Sequence, residues 1–70
     1  MPVLQQGECR RLRTAIGARI YQLTTIKGAQ GPLYKALYSA LKERYHVDSY
    51  SSIHPKDLQD AIRFVESWKG

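Results

Sequence analysis

Apolar positions recur at helical spacing in three stretches of the chain. From Gly7 to Ile26, the residues Leu12, Ala15, Ile16, Ile20, Leu23 and Ile26 share one face, which predicts a long first helix. In the run Leu33 to Tyr50, a turn of roughly 100° per residue puts Leu33, Leu37, Ala40 and Leu41 at the centre of a broad apolar arc. Ala36 lies on one flank of that arc and Tyr34, Tyr38 and Tyr45 on the other, while Lys35, Ser39, Lys42 and Glu43 face water. Such a helix is touched on two sides, so it is the expected centre of the fold. In the third stretch Leu58, Ala61, Ile62, Val65 and Trp68 share a face, with Phe64 beside them.

Local signals set the boundaries. Beta-branched Thr24, Thr25 and Ile26 weaken the end of the first helix, and Lys27 to Pro32 reads as the break, with Pro32 in the first turn of the second helix. Pro55 opens the third helix with Asp57 near its positive pole, and Lys69 and Gly70 close it. Between them, His46 to His54 carries Val47, Tyr50 and Ile53 at about every third position, a loop pinned to the core by apolar anchors. Asp48, Ser49, Ser51 and Ser52 supply its turn hydrogen bonds. Met1 to Gln6 lacks periodicity and reads as a disordered or added tail, leaving 7–70 as a single domain. The expectation is therefore all-α: a compact three-helix domain, helices over about 7–26, 32–45 and 55–69, with a core-anchored loop 46–54. Its core anchors are Leu33, Leu37, Leu41, Tyr45, Val47, Tyr50, Ile53, Ile62, Val65 and Trp68.

Arg19 interrupts the apolar face of the first helix. Either its alkyl stem lies over the core edge and its guanidinium reaches water or a carboxylate, or it makes a buried contact with a partner. The opposite face, Thr14, Gly17, Ala18, Tyr21 and Thr25, is uncharged and reads either as solvated or as the seat of a second helix.

Size narrows the options. Ordering 70 residues costs on the order of 100 kcal/mol of conformational entropy, so a core this small leaves little surplus. Cys9 is alone and makes no intramolecular disulfide, and Cys9, His46 and His54 lack the close ligand pair of a structural zinc site. Helix packing or a partner chain must compensate. A lone thiol fits a reducing compartment, and no apolar run approaches the roughly 20 residues that span a bilayer, so a cytoplasmic protein without membrane contact is expected.

The net charge of +5 is unevenly placed. Residues 1–45 hold eight Lys or Arg against Glu8 and Glu43, whereas residues 46–70 hold Lys56, Arg63 and Lys69 against four acids. The first two thirds thus suit a polyanion. Arg10, Arg11 and Arg13 diverge around the helix and form no single stripe, so they offer phosphate attraction rather than major-groove reading. A helix-turn-helix is disfavoured, because both expected connections exceed its three- or four-residue turn and the last helix is acidic at Asp57, Asp60 and Glu66. DNA, if bound, falls to Arg10, Arg13, Lys35 and Lys42, with Tyr34 and Tyr38 either stacking on bases or serving as core.

Chemistry finds little purchase. His46 and His54 have no acid at a diagnostic spacing, Cys9 reads as inert despite Arg10 and Arg11, and there is no phosphate loop, dinucleotide turn or helical metal-ligand pair. The chain is read as a non-enzyme with no catalytic, cofactor or metal residues and no small-molecule substrate.

The string Leu33-Tyr34-Lys35-Ala36-Leu37-Tyr38, then Tyr45-His46-Val47-Asp48-Ser49-Tyr50 with Ile53, and finally Ala61-Ile62-Arg63-Phe64-Val65-Glu66-Ser67-Trp68, resembles the "ORF six C" domain at the carboxy terminus of phage antirepressors and BRO-type regulators. The resemblance covers about residues 8–69, with Tyr45 where the family pattern leads one to expect phenylalanine. It implies a non-enzymatic accessory module of a phage or prophage transcription regulator in a bacterial host cell, usually behind an amino-terminal DNA-contacting domain. Two functions follow: protein contact, by self-association or capture of a repressor or other partner, or direct nucleic-acid binding through the basic surface of the first two helices. The contact residues named for them are Arg10, Arg13, Thr14, Tyr21, Lys35 and Lys42.

Overall fold

A computed structural model describes residues 4–69. It contains three α-helices, α1 (Gln6–Leu23), α2 (Lys27–Tyr45) and α3 (Leu58–Ser67), with 3₁₀ turns at Tyr50–Ser52 and Pro55–Asp57 between the last two. The all-α, three-helix reading holds.

The core is built from the stripes the spacing picked out. Leu12, Ile16 and Ile20 on α1, Leu37 and Leu41 on α2, and Ala61 and Val65 on α3 are fully buried, and Ile53 fills the space beneath the connecting segment. Leu33, Tyr45, Val47, Tyr50, Ile62, Phe64 and Trp68 are half-buried around them. Among the described residues, no buried side-chain nitrogen or oxygen lacks a partner.

Four boundaries differ from expectation, each for a local reason. Helix α1 stops at Leu23 because Thr24 turns to extended backbone (φ −159°, ψ 143°) and its Oγ1 accepts from the Ile26 amide at 3.1 Å. A β-branched hydroxyl residue thereby offers the chain a non-helical alternative. Ile26 leaves the apolar stripe and becomes the N-cap of α2.

The expected break at Lys27 to Pro32 is itself helical, so the connection is Thr24 to Ile26. Pro32, the sixth residue of α2, removes only the bond to the Gly28 carbonyl, and both residues face solvent, where water can replace it. The Gln30 side chain holds the new start by donating from Nε2 to the Thr24 carbonyl at 3.2 Å.

The third helix opens as a 3₁₀ turn at Pro55, where His54 Nδ1 accepts from the Lys56 amide at 3.1 Å, and it ends at Ser67 with Trp68 extended. The supposed tail is also ordered where it is described. Leu4 is buried, its amide donates to the Ser51 carbonyl at 3.0 Å, and Gln5 caps α1 with its amide on Glu8 Oε1 at 2.8 Å. A single leucine has no period to announce it, and residues 1–3 of that expectation lie outside the described residues.

Two cross-helix contacts set how α1 sits on its neighbours. Gly17 lies so close to α2 that a Cβ there would stand 3.3 Å from the Tyr34 hydroxyl. Within the chain the Arg19 guanidinium reaches a backbone carbonyl and a side-chain amide rather than a carboxylate: its Nε donates to the Trp68 carbonyl at 2.7 Å and its Nη1 to Gln22 Oε1 at 3.2 Å.

Candidate functional site

One side of the α1–α2 pair gathers aromatic rings and cations. Tyr34 and Tyr38, one turn apart on α2, stack with ring centroids 6.3 Å apart, and Tyr50 from the first 3₁₀ turn closes on Tyr38 at 5.3 Å. The row spans two elements because His46 reverses the chain after α2. His46 adopts a left-handed conformation (φ 53°, ψ 48°), and the Val47 amide donates back to the Lys42 carbonyl at 3.0 Å. None of the three tyrosines is fully buried.

Beside this row lies a shallow groove of about 200 Å³, lined by Tyr38, Lys42, Asp48, Ser49 and Tyr50. Ser49 Oγ accepts from the Ser51 amide at 3.3 Å and lies 3.0 Å from Ser51 Oγ, which fixes the groove's floor. The Tyr38 phenol is held above its ordinary pKa, first by burial and then by Tyr50 and Tyr34, while the positive charge of Arg13 opposes the shift. Arg13 is exposed on α1, outside the residues that line the groove.

The six contact residues anticipated from the sequence divide accordingly. Lys42 lines the groove beside Tyr38 and Tyr50; Arg10 and Arg13 are exposed one turn apart on α1, and exposed Lys35 lies seven residues, nearly two full turns, before Lys42 on the same side of α2. Thr14 and Tyr21 are exposed on α1 and are not among the groove's lining residues, with Tyr21 64% exposed. Ile26, at the α1–α2 corner, is 68% exposed and joins Tyr21 as a large hydrophobic side chain in water. The helical wheel had placed it in the core, and only the early end of α1 frees it. Asp48, Ser49 and Tyr50 carry turn and anchor signals in the sequence, and no linear signal marks them as groove lining.

The opposite face of α2 is tied down at the same, C-terminal end. Arg44 Nη2 meets Asp60 Oδ2 at 3.2 Å, the Tyr45 hydroxyl donates to the same oxygen, and the Arg44 guanidinium lies 5.0 Å from the centre of the Phe64 ring. This is the only ion pair among the described residues. Arg44 is thus neutralised locally, whereas Arg10, Arg13, Lys35 and Lys42 make no ion pair among the described residues. Cys9 is half-buried with its Sγ 3.7 Å from the Leu4 carbonyl, and among the described residues no three His, Cys, Asp or Glu side chains are placed to hold a metal ion. No described helix is long and apolar enough to cross a membrane.

The ORF6C domain model matches residues 3–70. The chain belongs to the ORF6C domain family. This phage-associated family is met here with its aromatic-x-Val-x-Ser-Tyr-x-x-Ile string, Tyr45 to Ile53, folded as the reversal after α2: Ile53 reaches the centre of the core, Tyr50 completes the tyrosine row, and Ser49 caps a turn. The string is thus both scaffold and groove in this ORF6C domain. The match begins at residue 3, consistent with Leu4 belonging to the core. No curated protein and no solved structure matches the chain significantly.

Proposed function

We propose that this ORF6C domain is a non-enzymatic accessory module of an antirepressor-like phage or prophage transcription regulator, acting in the host cytoplasm by protein contact. The observation that carries this reading is the pairing of Tyr21 and Ile26, 64% and 68% exposed, where α1 passes into α2. Thr14, Ala18 and Thr25 extend the exposed surface without charge. Large apolar side chains on an uncharged face are what a partner covers, because their removal from water supplies the driving force and no ion must be desolvated. The occupant is a second copy of the chain or a repressor subunit.

Sedimentation of the purified chain, alone and with its cognate repressor, tests this. Self-association or a complex is expected, lost in Tyr21→Glu and Ile26→Glu variants that keep their helical circular dichroism. A chain that stays monomeric and captures no repressor would sink the reading.

A further inference from the structure

The groove beside the tyrosine row is a second, separate feature. The geometry points to a binding site for single-stranded nucleic acid: one unpaired base stacks in the groove against the open surface of Tyr38 and Tyr50, and the flanking phosphates are drawn to Lys42 in its wall and to the exposed Arg10 and Arg13 of α1. Three observations converge on that ligand.

The first is the rings. Tyr38 and Tyr50 are half-buried, with centroids 5.3 Å apart and planes inclined at 35°. The groove of about 200 Å³ opens against both of them. A tyrosine serving only the core would be closed over, whereas these keep part of their surface at a concavity. Flat aromatic surface beside cations is how sequence-tolerant proteins hold unstacked bases.

Charge is the second. Arg10, Arg13 and Lys35 are exposed, and Lys42 forms part of the groove wall. Among the described residues the acids leave all four unpaired, since the one ion pair is Arg44 with Asp60. A polyanion meets them without having to break an ion pair.

The third is Asp48, which selects among polyanions. This exposed acid is one of the residues that line the groove, beside Ser49. An acidic peptide would bring its own carboxylates against Asp48 and offers no flat ring to the tyrosines. A base bearing an exocyclic amino group donates to Asp48 while its phosphates stay on the Arg13 and Lys42 side. Duplex DNA hides its base faces, and a concave surface with divergent arginines does not enter a major groove.

The test is fluorescence anisotropy of labelled oligo(dC), oligo(dT) and a duplex of equal length, titrated with the full chain at low salt. Both single strands are expected to bind, oligo(dC) a few-fold tighter than oligo(dT), and the duplex roughly tenfold more weakly. Affinity should fall with a log–log salt slope of about −0.7 per phosphate engaged. The Arg13→Glu, Lys42→Glu pair, both away from the buried core, should cut affinity by about tenfold or more. Asp48→Asn should erase the preference for oligo(dC), and Tyr50→Phe should bind as the parent does where Tyr50→Leu does not. The proposal fails if no single strand binds at low salt, if the duplex binds equally well, if polyglutamate competes as effectively as oligo(dC), or if the folded charge-reversed pair keeps its affinity.

Discussion

Arg19 on α1 donates from Nε to the Trp68 carbonyl at 2.7 Å, so the first long helix holds the end of the last one across 49 positions of sequence. The carbonyl belongs to the residue that ends α3, whose own amide turns back to the Val65 carbonyl at 3.1 Å. A guanidinium there satisfies an acceptor the helix cannot and opposes the negative pole of its dipole. Arg19→Met keeps the stem over the core and removes the donor. It should lower stability by about 1–3 kcal/mol, read from urea unfolding followed by Trp68 fluorescence. An unchanged midpoint would show the bond to be incidental.

Leu4 makes the same argument at the other terminus. It is 5% exposed, and its amide is bonded to the Ser51 carbonyl in the segment that carries Tyr50 and Ile53. The start of the chain therefore braces the wall that shapes the groove. Leu4→Ala should cost about 2–3 kcal/mol, and the Leu4 amide should exchange with deuterium far more slowly than that of an exposed terminus. Rapid exchange at Leu4 would count against the brace.

What could be read beforehand follows the physics of periodicity. Leu12, Ile16, Ile20, Leu37, Leu41 and Val65 announce themselves because each is repeated by neighbours three or four positions away, and Ile53 because it is the last of three evenly spaced anchors. Leu4 has no such neighbours. Gly28, Gly31 and Pro32 point to an α1–α2 boundary later than the real one at Thr24 to Ile26. Glycine and proline lower helix propensity without forbidding a solvent-facing first turn, whereas the Thr24 hydroxyl supplied a positive reason to stop. The basic residues Arg10, Arg13, Lys35 and Lys42 were legible as a set. The groove was not, since it forms only when Tyr50 is folded back on Tyr38 by a reversal whose pivot, His46, carries no glycine to mark it.

That pivot has a measurable cost. His46 is the only non-glycine residue with positive φ among those described, and the left-handed conformation brings its Cβ against the following carbonyl. Its solvent-exposed ring makes no hydrogen bond that would recover the loss. His46→Gly should therefore raise stability by about 1 kcal/mol, seen as an upward shift of the thermal midpoint. The groove should keep its shape, because the Val47 to Lys42 bond is made by backbone alone. A lower midpoint would mean that the histidine ring holds the reversal in place.

Tyr45 stands where the family pattern led to phenylalanine, and its hydroxyl gives the difference a consequence. It donates to Asp60 Oδ2, which also accepts from Arg44 Nη2 at 3.2 Å, so α2 and α3 are joined by one carboxylate. The Asp60 pKa lies below the ordinary carboxylate value, chiefly through the Tyr45 hydrogen bond and then that of Arg44. A carboxylate depressed in the folded state stabilises it at all pH values above the unfolded pKa of roughly 3.9, and that contribution fades as the pH falls through the lower folded value. The Tyr45 phenol is shifted the other way, upward, first by burial and then by its bond to Asp60. An acid whose folded pKa is raised contributes fully below its unfolded pKa of about 10 and loses that contribution as the pH rises through the folded one. The clip is thus bounded on both sides, and Tyr45→Phe should flatten both limbs of the stability curve: less is lost on acidification below about pH 4, and the alkaline loss above about pH 10 shrinks. Asp60→Asn should flatten the acid limb while leaving the phenol in place. Urea midpoints across that range would decide it, and acid limbs of equal steepness in the parent and both variants would show that the clip carries no linked proton.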